Sequence, residues 1–280
     1  MDAMNRPVFI IGAGRSGTTW LSRMLATHPD LAYFSSWTNR FPGQPWVAFL
    51  SRMNDVPALE ARMRYTKKWP RITEAYQIWD RVIPGFSDPP RDLVADDATD
   101  DIKARTRAIV RAHMRWQGKP RFLAKYVGFV RIDLIREIFP DAQFICLDRD
   151  PRPMLHSQML KRWGYEDRPD AWEQTPVEDL LRFYVHEHKK YLAYKERFTA
   201  GVDYHQFYYE HLLADPVTTV RAMCAAVDLC TPQAFLDKVA DWRVDSQTNV
   251  KWEQALTGEQ ISLFNRLLAD PLHHYSTAVE

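Results

Sequence analysis

The sequence predicts an α/β fold, a central parallel sheet flanked by helices, because three separate stretches read as strand, loop and helix in that order. Val8 to Ile11 is an apolar, β-branched run that stops at Gly12, and a helical pattern follows from Thr18 through Ala26. Phe122 to Ala124 begins a second unit, whose helix carries Ile132, Ile135, Ile138 and Phe139 before stopping at Pro140. Gln143 to Leu147 begins the third, and Pro151 opens a helix bearing Met154, Leu155, Met159 and Leu160. Strands alternating with helices need right-handed crossovers, and these favour a doubly wound sheet covered on both faces.

Taken in order, the first unit leads into a long stretch, 37–118, that departs from the alternation. It holds Pro- and Trp-bearing helical pieces and is expected to cap the sheet edge as an insertion facing a substrate. Within it the acidic run Asp96 to Asp101 reads as a solvated loop ending in a helix N-cap. After the second and third units, Val202 to Phe207 alternates weakly as a strand, and helices follow from Pro216 to Val227. No internal repeat or low-complexity tract interrupts the chain, so 1–280 is expected to form one domain.

With 37 basic against 36 acidic residues the net charge is only +1, which argues against a general pull on nucleic acid or acidic membranes. An anion site must therefore be local. Cys146, Cys224 and Cys230 are too few for a disulfide scaffold. No stretch approaches the roughly 18 apolar residues that span a bilayer, and no apolar leader precedes Val8, so a cytoplasmic chain is expected.

Glycines at 12, 14 and 17 between a strand and a helix let backbone N–H groups converge on an anion at the positive end of the helix. A nucleoside-triphosphate loop needs Lys directly after its last glycine, whereas Gly17 is followed by Thr18 and Thr19. The positive charge has moved into the loop as Arg15, which suits a shorter donor. A second anion pocket is expected where the strand ending at Leu147 meets Arg149, with the hydroxyl of Ser157 on the next helix.

The run Arg15, Ser16, Gly17, Thr18, Thr19, Trp20, Leu21 resembles the 5′-phosphosulfate loop of sulfotransferases that use 3′-phosphoadenosine-5′-phosphosulfate (PAPS). Arg149 and Ser157 are similar to the pair that holds the donor's 3′-phosphate in that family, which implies the three-layer P-loop-like fold. The resemblance is to bacterial members and covers most of 6–30 and 120–270. It includes Lys125 at a strand end, Phe139 to Ala142, and Tyr209 to Leu212 with Asp215 and Pro216. It implies donor contacts from Gly14, Arg15, Ser16, Gly17, Thr18, Thr19, Trp20, Arg149, Ser157 and Tyr209. Lys251 joins them from Ser246 to Trp252, where relatives carry a short loop over the 3′-phosphate. It also implies sulfuryl transfer to an unidentified acceptor, with adenosine 3′,5′-bisphosphate (PAP) leaving and no metal.

Arg15 and Lys125 are the expected catalytic cations. The usual bases are missing: Lys125 is followed by Tyr126 and Val127 where cytosolic members carry His, and Phe34 to Trp37 lacks the Glu of carbohydrate-modifying members. Glu74, among aromatic residues in Thr73 to Asp80, is the substitute, with a raised pKa expected from burial. The stretch Trp163 to Trp172 is expected to cover the acceptor. His186 and His188 point to different helix faces and make a poor metal pair, and His273 and His274 read as a surface pair. The competing readings are an ATP-using P-loop kinase with Asp148 on magnesium, and a nucleotide-binding module without catalysis. A homodimer is left open.

Overall fold

The computed structural model describes residues 6–63, 66, 69–87, 91–126, 128, 130–242 and 249–279. Strand β1 (Val8–Ile11) leads through the glycine loop to helix α1 (Thr18–Leu25), then to a short strand β2 (Leu31–Tyr33). The insertion follows: α2 (Ser36–Arg40), a 3₁₀ segment (Pro45–Asp55), α3 (Pro57–Met63), α4 (Tyr76–Val82) and the long α5 (Asp100–Gln117). Thr99 caps α5 by accepting from the Ile102 N–H, so the acidic run does end in an N-cap.

Strand β3 (Arg121–Lys125), α6 (Ile132–Ile138), β4 (Gln143–Asp148) and α7 (Pro151–Leu160) complete the second and third units. Asp150 caps α7 through the Arg152 N–H, and Pro151 takes the first turn, where its missing donor costs nothing. The remainder is helical around one strand: α8 (Pro169–Gln174), α9 (Val177–Thr199), β5 (Tyr204–Tyr208), α10 (Tyr209–Ala214), α11 (Pro216–Ala226), α12 (Gln233–Ala240), α13 (Lys251–Ala255), α14 (Gly258–Leu267) and α15 (Ala269–Val279).

The five strands run parallel in the order β2-β3-β1-β4-β5, with Ile10 opposite Lys125 and Ile145, and Asp148 opposite Tyr208. The expected parallel sheet is present. Its short second strand carries no alternation over three residues, which is why the sequence pattern does not reveal it. One face stacks Phe9, Ile11, Phe122, Phe144 and Cys146 against Trp79, Val110 and Ile135. The other sets Val8, Ile10, Leu123, Ile145 and Leu147 against Leu21, Met24, Val220 and Met223. Strands covered on both faces explain the continuous apolar runs that first marked them.

Trp79 and Val110 belong to the insertion, so that region supplies part of the sheet's own cover as well as flanking edge strand β2. Among the described residues no helix is long and apolar enough to cross a membrane. The chain leaves β1 toward β2 on one side and leaves β4 toward β5 on the other. Connections that diverge from two adjacent strands open a crevice at their carboxyl ends, and both predicted anion loops lie there.

Candidate functional site

The glycine loop is shaped by what its missing side chains would strike. A Cβ on Gly14 would lie 2.0 Å from the Trp163 ring, and Gly17 adopts φ +97° with its absent Cβ 2.4 Å from the Tyr209 ring. Only glycine takes that backbone without strain. Arg15 itself holds φ 73°, a conformation that costs a non-glycine residue on the order of 1 kcal/mol. The Ser16 N–H is spent on the Ala13 carbonyl at 3.2 Å and the Trp20 N–H on the Gly17 carbonyl at 2.9 Å, which leaves the N–H groups of Thr18 and Thr19 without an intrahelical acceptor at the helix's positive end, on the cavity wall.

Arg15 reaches across to the β4 side, where its Nε donates to Ser157 Oγ at 2.9 Å. Arg149 closes the circuit: its Nη1 donates to the Arg15 carbonyl at 2.9 Å, and Nε and Nη2 donate to Asn249 Oδ1 at 3.0 and 2.6 Å. Its guanidinium lies over the Tyr209 ring, 4.3 Å from the centroid. The neighbouring aspartates do not claim it, because Asp148 pairs with Lys195 and Asp150 with Arg152. Burial, the largest influence, lowers the Arg149 pKa, with Tyr209 and the carboxylates of Glu210 and Asp150 opposing. An arginine starting so high stays charged.

A cavity of about 440 Å³ is lined by Arg15, Gly17, Thr18, Thr19, Trp20, Arg149, Ser157, Tyr209 and Lys251, together with Arg23, Pro153, His156 and Leu160. Nine of the predicted positions therefore converge on one space. Gly14 stands behind it beneath Trp163, its carbonyl accepting from Gln158 Nε2 at 2.8 Å. Ser16 lines a smaller cavity of about 140 Å³ beside Asp148, Arg149 and Lys195, and its Oγ is buried without a hydrogen-bond partner among the described residues. Ser246 to Thr248 and Val127 lie outside the described residues; Asn249 and Lys251 are the parts of that C-terminal segment that reach the site.

Lys125 and Glu74 sit one step further back. The Lys125 side chain is 2% exposed; its ammonium donates to Thr19 Oγ1 at 2.6 Å and forms an ion pair with Glu74, whose side chain is 27% exposed. Burial lowers the lysine's pKa and Glu74 counters it. The raised pKa expected for Glu74 is not found. Burial, the largest single influence, pushes it up, but the Lys125 charge and hydrogen bond, together with hydrogen bonds from its own backbone and from Thr73, outweigh burial, and the carboxyl titrates below its ordinary value. Aromatic neighbours suggested a dry, isolated carboxylate; an adjacent buried cation reverses the sign.

Several participants have no sequence signal beyond proximity in the fold. Asn249 meets Arg149 across 100 residues, and the Trp163 ring lies against Gly14 of the loop. His156 was in plain view beside Ser157, and burial keeps its pKa low. Among the described residues the one group with metal-ligand proximity is His28, Asp30 and Cys230. Both nitrogens of His28 are committed, to the Cys230 carbonyl at 2.7 Å and the Asp30 N–H at 3.1 Å, so it holds structure. His186 is exposed and His188 buried, on different faces of α9.

With this geometry in view, the comparisons are specific. Solved structures with the same fold include a Mycobacterium avium sulfotransferase, 16% identical over 97% of this chain and 77% of that one, at TM-score 0.61. A Mycobacterium tuberculosis H37Rv sulfotransferase is 17% identical over 94% and 77%, at TM-score 0.56. The sulfotransferase domain of the curacin biosynthetic pathway is 15% identical over 96% and 98%, at TM-score 0.52. A search of curated protein sequences finds no match. A sequence model of the sulfotransferase family matches residues 7–233, from the first strand to α12, which also disfavours the kinase reading; the chain belongs to the sulfotransferase family.

Proposed function

We propose that this sulfotransferase grips both phosphate ends of PAPS between the β1 and β4 loops and passes the sulfuryl group to an acceptor hydroxyl or amine. The observation that carries the reading is the joined set Arg15, Ser157 and Arg149 on the wall of one cavity of about 440 Å³. The residues fit such a donor: two arginine forks, the N–H groups of Thr18 and Thr19 at the start of α1 and a glycine surface that admits close approach. PAPS supplies the electrophilic sulfur and leaves as PAP.

In this reading Arg15, the loop N–H groups, Thr18 and Thr19 hold the 5′ end and neutralise charge that develops on the bridging oxygen. Arg149, Ser157 and Lys251 take the 3′-phosphate. Trp20 and Tyr209, whose rings meet edge to face 6.1 Å apart, offer flat surfaces for the base. The insertion 37–118 faces the acceptor, and Glu74 accepts its proton. Lys125 has two competing partners, Glu74 and the donor's anionic end. When Lys125 turns toward the donor, Glu74 loses the charge that holds its pKa down, and it becomes the stronger base that neutral pH requires.

The three free cysteines suit a reducing compartment such as the cytoplasm. The test is calorimetry with PAP on the wild type and on Arg149→Ala, followed by transfer of labelled sulfate from PAPS into a host extract. Tight PAP binding lost in the variant, with a labelled product, supports the proposal. Failure to bind PAP overturns it, and binding without transfer leaves a nucleotide-binding module.

A further inference from the structure

Arg23 lies one turn beyond Thr19 on α1 and lines two cavities at once. One is the donor cavity; the other, about 20 Å³, also has Arg71, Tyr33, Asn54, Glu60 and Trp69 in its wall. The Arg23 Nε is buried and has no hydrogen-bond partner among the described residues. Neither Arg23 nor Arg71 forms a side-chain ion pair among the described residues. Of the nearby carboxylates, Glu74 is bound to Lys125, and Glu60 lies buried in the wall of the smaller cavity.

Two guanidiniums thus share a small recess with Lys125 close behind. Burial lowers the Arg23 pKa, and the charge of Arg71 lowers it further, with Glu74 opposing. Holding like charges together in a partly dry site costs free energy unless an anion enters between them. Planar guanidinium forks suit a carboxylate, phosphate or sulfate ester, which they bind through paired N–H groups. The recess opens on the β2 side of α1, where Tyr33 ends β2 and Ile72 pairs with Ser35, while Arg23 itself also borders the donor cavity that Arg149, Tyr209 and Lys251 line. Residues at i and i+4 on a helix stand about 6 Å apart, so an anion on Arg23 would sit within a small molecule's length of Thr19.

We infer that Arg23 and Arg71 form an acceptor subsite for an anionic group, so the acceptor is a hydroxyl- or amine-bearing molecule that already carries a carboxylate, phosphate or sulfate. This rests on the donor reading above and adds the acceptor's chemical class. The insertion contributes half of the subsite through Arg71, which gives it a role in specificity as well as in covering the sheet.

The experiment uses the full chain saturated with PAP and titrates inorganic sulfate and pyrophosphate by calorimetry. One or both anions should bind the PAP-loaded wild type, at least tenfold more weakly to Arg23→Gln and Arg71→Gln, and unchanged to Arg40→Gln. PAP affinity should stay within twofold in Arg71→Gln and Arg40→Gln, and in Arg23→Gln, which also borders the donor cavity, it should fall far less than anion affinity does. Anions that bind only by displacing PAP, or that bind the two variants as well as wild type, overturn the inference. So does a loss of PAP affinity in Arg23→Gln as large as its loss of anion affinity, which would return that arginine to the donor. Failure of the wild type to bind PAP sinks the donor reading itself, and is seen in the first titration before any anion is added.

Discussion

The two sides of β1 are built differently. On the β4 side, Arg15 and Arg149 stand in short loops that spring directly from strand ends and Ser157 about two turns into α7, and their bonds run loop to helix and loop to loop, both at 2.9 Å. On the β3 side, Lys125 is also at a strand end, yet its partners arrive from α1 and from the insertion through Glu74. The first side is a rigid consequence of strand spacing. The second depends on how a separate stretch of chain packs, and there an expected pKa shift came out with the opposite sign. A donor shared by many enzymes suits the first construction, and an acceptor particular to one enzyme suits the second.

The sharpest way to break this contrast is at Arg15. Replacing it with glycine removes the guanidinium while relieving the φ 73° strain, so the change reports the side chain alone. Turnover should fall about 10²–10³-fold, as for the loss of one preorganised donor to a developing charge. Single-turnover transfer of labelled sulfate measures it, and a change below tenfold would remove Arg15 from the chemistry.

Glu74→Gln tests the other side. Turnover should fall about 10²-fold while PAP affinity holds, as expected for a general base. The substitution also strips Lys125 of its counter-ion, so Glu74→Gln with Lys125→Met serves as the control for stability. The pH profile separates the roles. With its resting pKa lowered, Glu74 places the acid limb of kcat/KM for the free enzyme below the ordinary carboxylate value of 4.5. A limb near neutral pH would assign the base to another group.

A smaller effect is expected at Arg149→Lys, which keeps the charge and loses the fork. Arg149 spreads its donors over Asn249 and the Arg15 carbonyl, and a lysine cannot reproduce that geometry. PAP affinity should fall about tenfold, equivalent to 1.4 kcal/mol, with kcat changed far less. Equal affinity would show that position 149 supplies charge without geometry.

This contrast also explains what could be read in the linear chain. The glycine loop, Arg149 and Ser157 are legible because each lies within a turn or two of an apolar strand, so strand position fixes where the side chain starts. The same reasoning located Lys125 at a strand end without revealing that it is buried. Asn249, 100 residues from Arg149, and the Arg23 and Arg71 recess depend on packing between distant elements, to which no local period corresponds. Trp163 over Gly14 is similar: the glycine was read as an anion-binding turn, and its second reason, the tryptophan ring, needs the fold.

The mildest prediction concerns the joint between insertion and sheet. His113 on α5 is 1% exposed, its ring 4.6 Å from that of Phe34, with Nδ1 paired to the Ile109 carbonyl at 2.8 Å and Nε2 buried without a partner among the described residues. Burial, only partly opposed by that backbone bond, brings its pKa down from 6.5 to about 4. The unfolded chain therefore takes up a proton that the folded chain refuses. Stability from this group is whole above pH 6.5 and is lost as pH falls toward about 4, by on the order of 3 kcal/mol if fully expressed. His113→Phe keeps the ring contact and removes the titration. Urea unfolding at pH 7 and pH 4.5 should show a smaller acid loss in the variant than in wild type, while PAP binding at pH 7 stays the same. Parallel losses in the two proteins would mean that the joint admits water, and that the insertion rests on the sheet more loosely than its packing against Phe34 implies.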